Sequence, residues 1–152
     1  MSDNGYAQPT GPNPALKKLD FLVGTWDVSD PSGKGEISGQ VRYEWMEGSY
    51  FLVQYVDLEH DGHKIKGMEV IGYDRSWDGT AGTDCTSHLF DNQGNTFTYV
   101  WDIEDTTLTI WGGERNSPAY FKGTFTDDHN TLTGAWVWPG GGYASTMTRS
   151  KA

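Results

Sequence analysis

The sequence predicts an all-β protein: a closed antiparallel up-and-down barrel of about ten strands, preceded by one short N-terminal helix. Three observations carry this expectation. Beyond residue 22 the chain divides into short segments rich in Thr, Val, Tyr, Phe and Trp, residue types that suit a pleated, half-buried surface. Turn signals separate these segments roughly every ten residues. Helical spacing occurs once, near the N-terminus. Sequential strands with tight connections pair with their neighbours. An open sheet of that length exposes two edges, and closure removes them. A two-sheet sandwich is the alternative. The lack of a second helical segment argues against α+β folds that lean on several helices.

The composition supports one folded domain. The chain has 152 residues, of which Leu, Ile, Val and Phe supply only 27. With a net charge of −10 that poverty would ordinarily suit a disordered chain. Seven Trp and eight Tyr reverse the reading, because each large ring can bury ~150–250 Å². The negative charge repels phosphate backbones and anionic lipid, so neither nucleic acid nor a membrane surface is an expected partner. No apolar run approaches the ~18–20 residues that span a bilayer. The opening MSDNGYAQPTGPNP has neither the basic nor the apolar region of a secretory leader. Cys85 is the single cysteine and can form no disulfide within the chain. A cytoplasmic location is the expectation.

In chain order, residues 1–13 are rich in Gly, Pro, Asn and Ser and predict a flexible tail, followed by one domain over 14–152. Asn13 suits a helix cap and Pro14 the first helical position. Ala15 to Asp20 then forms a short helix with Leu16 and Leu19 on one side. The predicted strands are 22–29, 36–46, 49–58, 64–74, 83–90, 95–103, 106–112, 118–126, 131–138 and 143–150. Asp30-Pro31-Ser32-Gly33, Glu47-Gly48, Asp61-Gly62, Asp78-Gly79 and Gln93-Gly94 are turn sequences that place glycine where φ needs to be positive. Asp127 to Asn130 is a polar turn. Gly140-Gly141-Gly142 predicts a wide hairpin flanked by Trp138 and Tyr143.

Alternation assigns inner faces. Ile37, Val41, Tyr43 and Trp45 share one face of the second strand. Phe97, Tyr99, Trp101 and Ile103 share one face of the sixth. Phe121, Gly123 and Phe125 do so in the eighth, and Leu132, Gly134, Trp136 and Trp138 in the ninth. The third strand is apolar on both sides, so its orientation stays open; an overlap or the N-terminal helix would cover its outer face.

The first strand reads Leu22-Val23-Gly24-Thr25-Trp26. A Gly-x-Trp just after a short helix resembles the calycin superfamily of lipocalins and fatty-acid-binding proteins. That resemblance implies that Trp26 closes one barrel end against a basic side chain of the last strand, and Arg149 occupies the matching place. A wider set of segments resembles a family of small bacterial proteins known only as a domain of unknown function. These are Leu19 to Trp26, Tyr43-Glu44-Trp45, Glu69 to Asp74, Phe90 to Asn95 and Phe121 to Phe125. The resemblance implies a lipocalin-like barrel and no particular activity. The related haem-binding nitrobindins carry a longer glycine pattern after the Trp and a late histidine. Here Asp27-Val28-Ser29 follows, and His129 lies in a turn, so haem is not expected. No pattern calls for another cofactor or a metal.

Glu69 interrupts the apolar row Ile65-Gly67-Glu69-Ile71-Tyr73. If that row faces inward, a carboxyl sits inside the barrel and must be paired, hydrogen-bonded or protonated. If Lys66, Met68 and Val70 face inward instead, Glu69 is solvated. His88 is the only histidine inside a predicted strand and shares a face with Thr86 and Phe90. Opposed across the interior, Glu69 and His88 would form an acid–base couple. Glu59, His60, Asp61 and His63 cluster at a hairpin without a zinc-like spacing, and loop polarity accounts for them. Ser87 and Ser145 lack a Gly-x-Ser-x-Gly elbow.

The functional expectation is binding of a small apolar or aromatic molecule inside the barrel. Tyr43, Tyr99, Trp45, Trp101 and Trp136 would line the walls, and Glu69 and His88 would orient the ligand. The alternative is a cofactor-independent isomerase, cyclase or hydratase that uses Glu69 and His88. Spare outward aromatics would allow a homodimer.

Overall fold

The computed structural model describes residues 10–150. Most of the expected flexible tail, residues 1–9, and the last two residues lie outside this range. The rest forms a 3-10 helix, Pro14–Leu22, and ten strands. The strands are β1 (Gly24–Ser29), β2 (Ile37–Trp45), β3 (Phe51–His60), β4 (His63–Arg75) and β5 (Ala81–Asp91). They continue as β6 (Thr96–Glu104), β7 (Thr107–Gly112), β8 (Tyr120–Phe125), β9 (Thr131–Trp138) and β10 (Gly141–Arg149). Each strand pairs antiparallel with its neighbour in sequence, and β1 pairs with β10, so the sheet closes as an up-and-down barrel. The sandwich alternative falls with that last pairing.

The helix starts as its residues dictate: Pro14 occupies the first turn, and the Asn13 side chain accepts a hydrogen bond from the Ala15 amide. It runs further than expected and takes in Leu22, the anticipated start of the first strand. Leu22 is fully buried, and its carbonyl accepts the Trp26 Nε1–H at 2.8 Å. Tertiary contact therefore outweighs the β-like run Phe21-Leu22-Val23.

Local turn chemistry shapes the two ends. β3 and β4 form a hairpin with Asp61 and Gly62 at the turn, both at positive φ (51° and 82°). The strands consequently extend to His60 and His63. The region 140–142 is tighter than the wide hairpin expected, because Trp138 pairs with Gly141 across Pro139-Gly140. Gly141 and Gly142 belong to β10. A Cβ on Gly141 would stand 2.7 Å from Trp138 Nε1, so its lack of a side chain leaves room for the indole.

The helix plugs one end of the barrel. Leu16, Leu19 and Leu22 join the core cluster of Trp26, Ile103, Leu108, Phe125 and others. The Arg149 guanidinium lies over the Trp26 ring, 4.3 Å from its centroid. Its nitrogens donate to the carbonyls of Val23, Phe21 and His129 and to Asn130 Oδ1. The helix exit, β1 and the β8–β9 turn are thus tied by one fork of donors. The helix does not cover the outer face of β3. There Tyr55, Met68 and Phe90 pair in an outward row across β3, β4 and β5, and Arg42 stacks on Tyr55 at 4.3 Å.

Candidate functional site

The helix fills one end of the barrel, and the interior opens at the other, where His60, Asp91 and Tyr143 line the rim. A cavity of about 390 Å³ extends inward from that rim, within the ~300–1,000 Å³ of small-molecule pockets. Its walls follow from strand parity. Partners across adjacent strands share a face, so the pairings Tyr43↔Gln54, Gln54↔Glu69 and Glu69↔Leu89 place these side chains in one inward row. This register resolves the ambiguity of β3 and β4: Leu52, Gln54, Val56 and Leu58 face in, and Lys66, Met68 and Val70 face out.

Glu69 is the chemical centre of the cavity. It is 7% exposed, and its Oε2 accepts the Ser87 hydroxyl at 2.5 Å. The Ser87 Oγ in turn accepts the Trp101 Nε1–H at 3.0 Å. Burial raises the carboxyl to about 7, with the Ser87 and Trp101 hydrogen bonds pulling the other way. Beside it, the Gln54 side-chain amide donates to the Tyr43 hydroxyl. Burial, and then the nearby Glu69, hold the Tyr43 and Tyr99 hydroxyls far above their usual range. Tyr99 and Phe121 pack against Trp136 at 5.8 and 5.6 Å between centroids.

Of the residues expected to line the interior, Tyr43, Tyr99, Trp101, Trp136 and Glu69 all do so. Trp45 does not. It faces inward but lies at the plugged end, where its Nε1–H donates to Asp20 Oδ1 of the helix at 2.9 Å. His88 is also misplaced by the sequence reading. It pairs with the outward Val70, is exposed, and meets Asp74 at 3.5 Å on the outer surface. The wall of the barrel separates it from Glu69, so the proposed acid–base couple does not exist.

Two inner residues escaped the sequence reading as site components. Ser87 lies on the face of β5 opposite to the one that drew attention, and Gln54 lies on the strand that could not be oriented. Strand register is the signal for both: Gln54 stands opposite Glu69, and Ser87 stands opposite Ile71 on the same inward face. At the mouth, His60 packs against the Tyr143 ring at 4.4 Å and approaches Glu36 Oε2 at 3.4 Å. Glu36, His60 and Asp61 gather their ligating atoms within 4.8 Å, while Glu59 and His63 stand outside that group. Asp91 lines the same mouth, and hydrogen bonds led by the Asn95 side chain hold its carboxyl below the usual range. Cys85 is half-buried, and desolvation pushes its thiol up to about 12.

Among known proteins, no family model matches this chain and no curated protein matches it.

Proposed function

We propose that this protein binds a small, largely apolar or aromatic molecule inside its barrel, with Glu69 orienting the ligand from the floor. One observation carries the reading: a cavity of about 390 Å³, walled by Tyr43, Tyr99, Trp101 and Trp136 and interrupted by a buried carboxyl. Apolar walls supply affinity in proportion to the area they cover. A small number of placed polar groups supplies orientation. The half-open barrel lets the ligand enter at the His60–Tyr143 end while the helix holds the other end shut.

Titration with N-phenyl-1-naphthylamine, a neutral fluorescent probe, tests this. Saturable one-to-one binding that quenches tryptophan emission is expected. A Val56→Trp substitution, which fills the cavity from β3, should weaken it by at least ~10-fold, equivalent to ~1.4 kcal/mol. No binding to the unaltered chain, or undiminished binding by the filled variant, would refute the reading.

A further inference from the structure

The cavity lining is short of positive charge. Among the described residues that line it there is no Lys or Arg, and its one basic side chain is His60, at the rim beside Glu36. Two carboxyls line it, Glu69 in the floor and Asp91 at the mouth. A buried carboxylate calls for a counter-charge, and the lining supplies none. The rings around Glu69 present electron-rich faces that attract cations. The net charge of −10 draws cations toward the protein and repels anions. A fatty acid would bring its carboxylate to Glu69 with no guanidinium or ammonium to receive it. A neutral alcohol could hydrogen-bond there but would gain no charge pairing.

We propose that the ligand is a lipophilic primary amine, its ammonium group paired with the Glu69 carboxylate and its apolar body packed on Tyr43, Tyr99, Trp101 and Trp136. The proposal rests on the cavity-binding reading and adds the head group. An ammonium has three donors, so it can meet Glu69 and still reach a second acceptor. The other titratable groups near Glu69 are Tyr43, Tyr99 and Cys85, all shifted upward by burial and therefore neutral near pH 8. They bring no charge that competes with the ligand. Asp91, one of the carboxyls at the mouth, adds attraction along the entry path.

Calorimetric titration of the full chain at pH 8 with 4-phenylbutylamine, 4-phenylbutan-1-ol and 4-phenylbutyrate tests the assignment. At that pH a primary amine stays protonated, as a Lys side chain of pKa ~10.4 does. The amine should bind at least ~10-fold more tightly than the alcohol, displace it, and leave the carboxylate weakest. In Glu69→Gln the amine should lose its advantage and bind no more tightly than the alcohol does to the same variant. Equal binding of alcohol and amine, or amine binding indifferent to Glu69→Gln, overturns the amine assignment and leaves the cavity reading standing. No binding by any of the three overturns the amine assignment, and the cavity reading falls with it only if N-phenyl-1-naphthylamine also fails to bind. Should Glu69→Gln fail to fold, the head-group ranking on the unaltered chain decides alone.

Discussion

Glu69 shows how one side chain can set both a site and a pH dependence. Its carboxyl is raised from 4.5 to about 7, chiefly by burial. The sign follows from which form the fold prefers. The folded state binds the proton more tightly than the unfolded chain, so this contribution is fully present below pH 4.5 and lost as pH rises through about 7. The shift corresponds to about 3 kcal/mol. In urea unfolding, the unaltered chain should therefore lose about 2–3 kcal/mol relative to Glu69→Gln between pH 5 and pH 8.5. A constant difference between the two would contradict the burial of Glu69. Other carboxyls act in the opposite sense: Asp78 is lowered to about 2 by hydrogen bonds led by Ser76 and Thr80. The comparison between variants cancels such exposed groups. Cys85 offers a second test at this scale. A thiol held near 12 is almost all un-ionised at pH 8. Its reaction with a disulfide reagent should be slow in the native protein and become fast on adding denaturant.

At the scale of elements, the helix is held less by its own hydrogen bonds than by what it touches. Nine residues of 3-10 helix are marginal alone, but Leu16, Leu19 and Leu22 insert into the barrel end and Arg149 grips the exit. Gly24 makes that grip possible. Its φ is +124°, and a Cβ there would lie 2.9 Å from Arg149 Nη1. Gly24→Ala should cost at least ~1 kcal/mol in thermal or urea unfolding, because it combines backbone strain with a clash. Arg149→Lys keeps the charge but loses the planar fork. It should cost about 2–3 kcal/mol and speed amide exchange in residues 15–22 before exchange rises elsewhere. The cap and the Leu spacing made a helix readable here. Its role as a plug was not readable, because the partners Trp26, Phe125 and Arg149 are brought to it only by closure of the sheet.

For the whole molecule, closure is the decisive event. β1 and β10 lie at opposite ends of the sequence, yet Trp26 pairs with Arg149 and Ser29 with Thr146. Without that seam the barrel would expose two edges and the cavity would lose a wall formed by Val28, Tyr143 and Met147. Deleting β10 from Gly141 onward should abolish cooperative unfolding and the near-ultraviolet dichroism of the packed tryptophans, even if strands persist. A fully cooperative truncated chain would show that the seam contributes little. The same closure separates chemistry inside from chemistry outside. Glu69 pairs with Leu89, the chain neighbour of His88, and His88 pairs with Val70, the chain neighbour of Glu69, yet Glu69 and His88 face opposite sides of the sheet. A shift of one residue in sequence is therefore a crossing of the barrel wall.

By itself the sequence determined the ten strands, the single helix and the aromatic interior, since turn residues and alternating apolar positions act over a few neighbours. It also marked Glu69 as an irregularity in an apolar row. Only the tertiary structure decided which way that row faces, because β3 is apolar on both faces and its direction depends on pairing with β2 and β4. Only the tertiary structure joined Glu69 to Ser87 and Trp101, moved Trp45 to the plugged end and left His88 outside. Those outcomes depend on strand register and on the meeting of the chain's two ends, which are properties of the closed sheet rather than of any local segment.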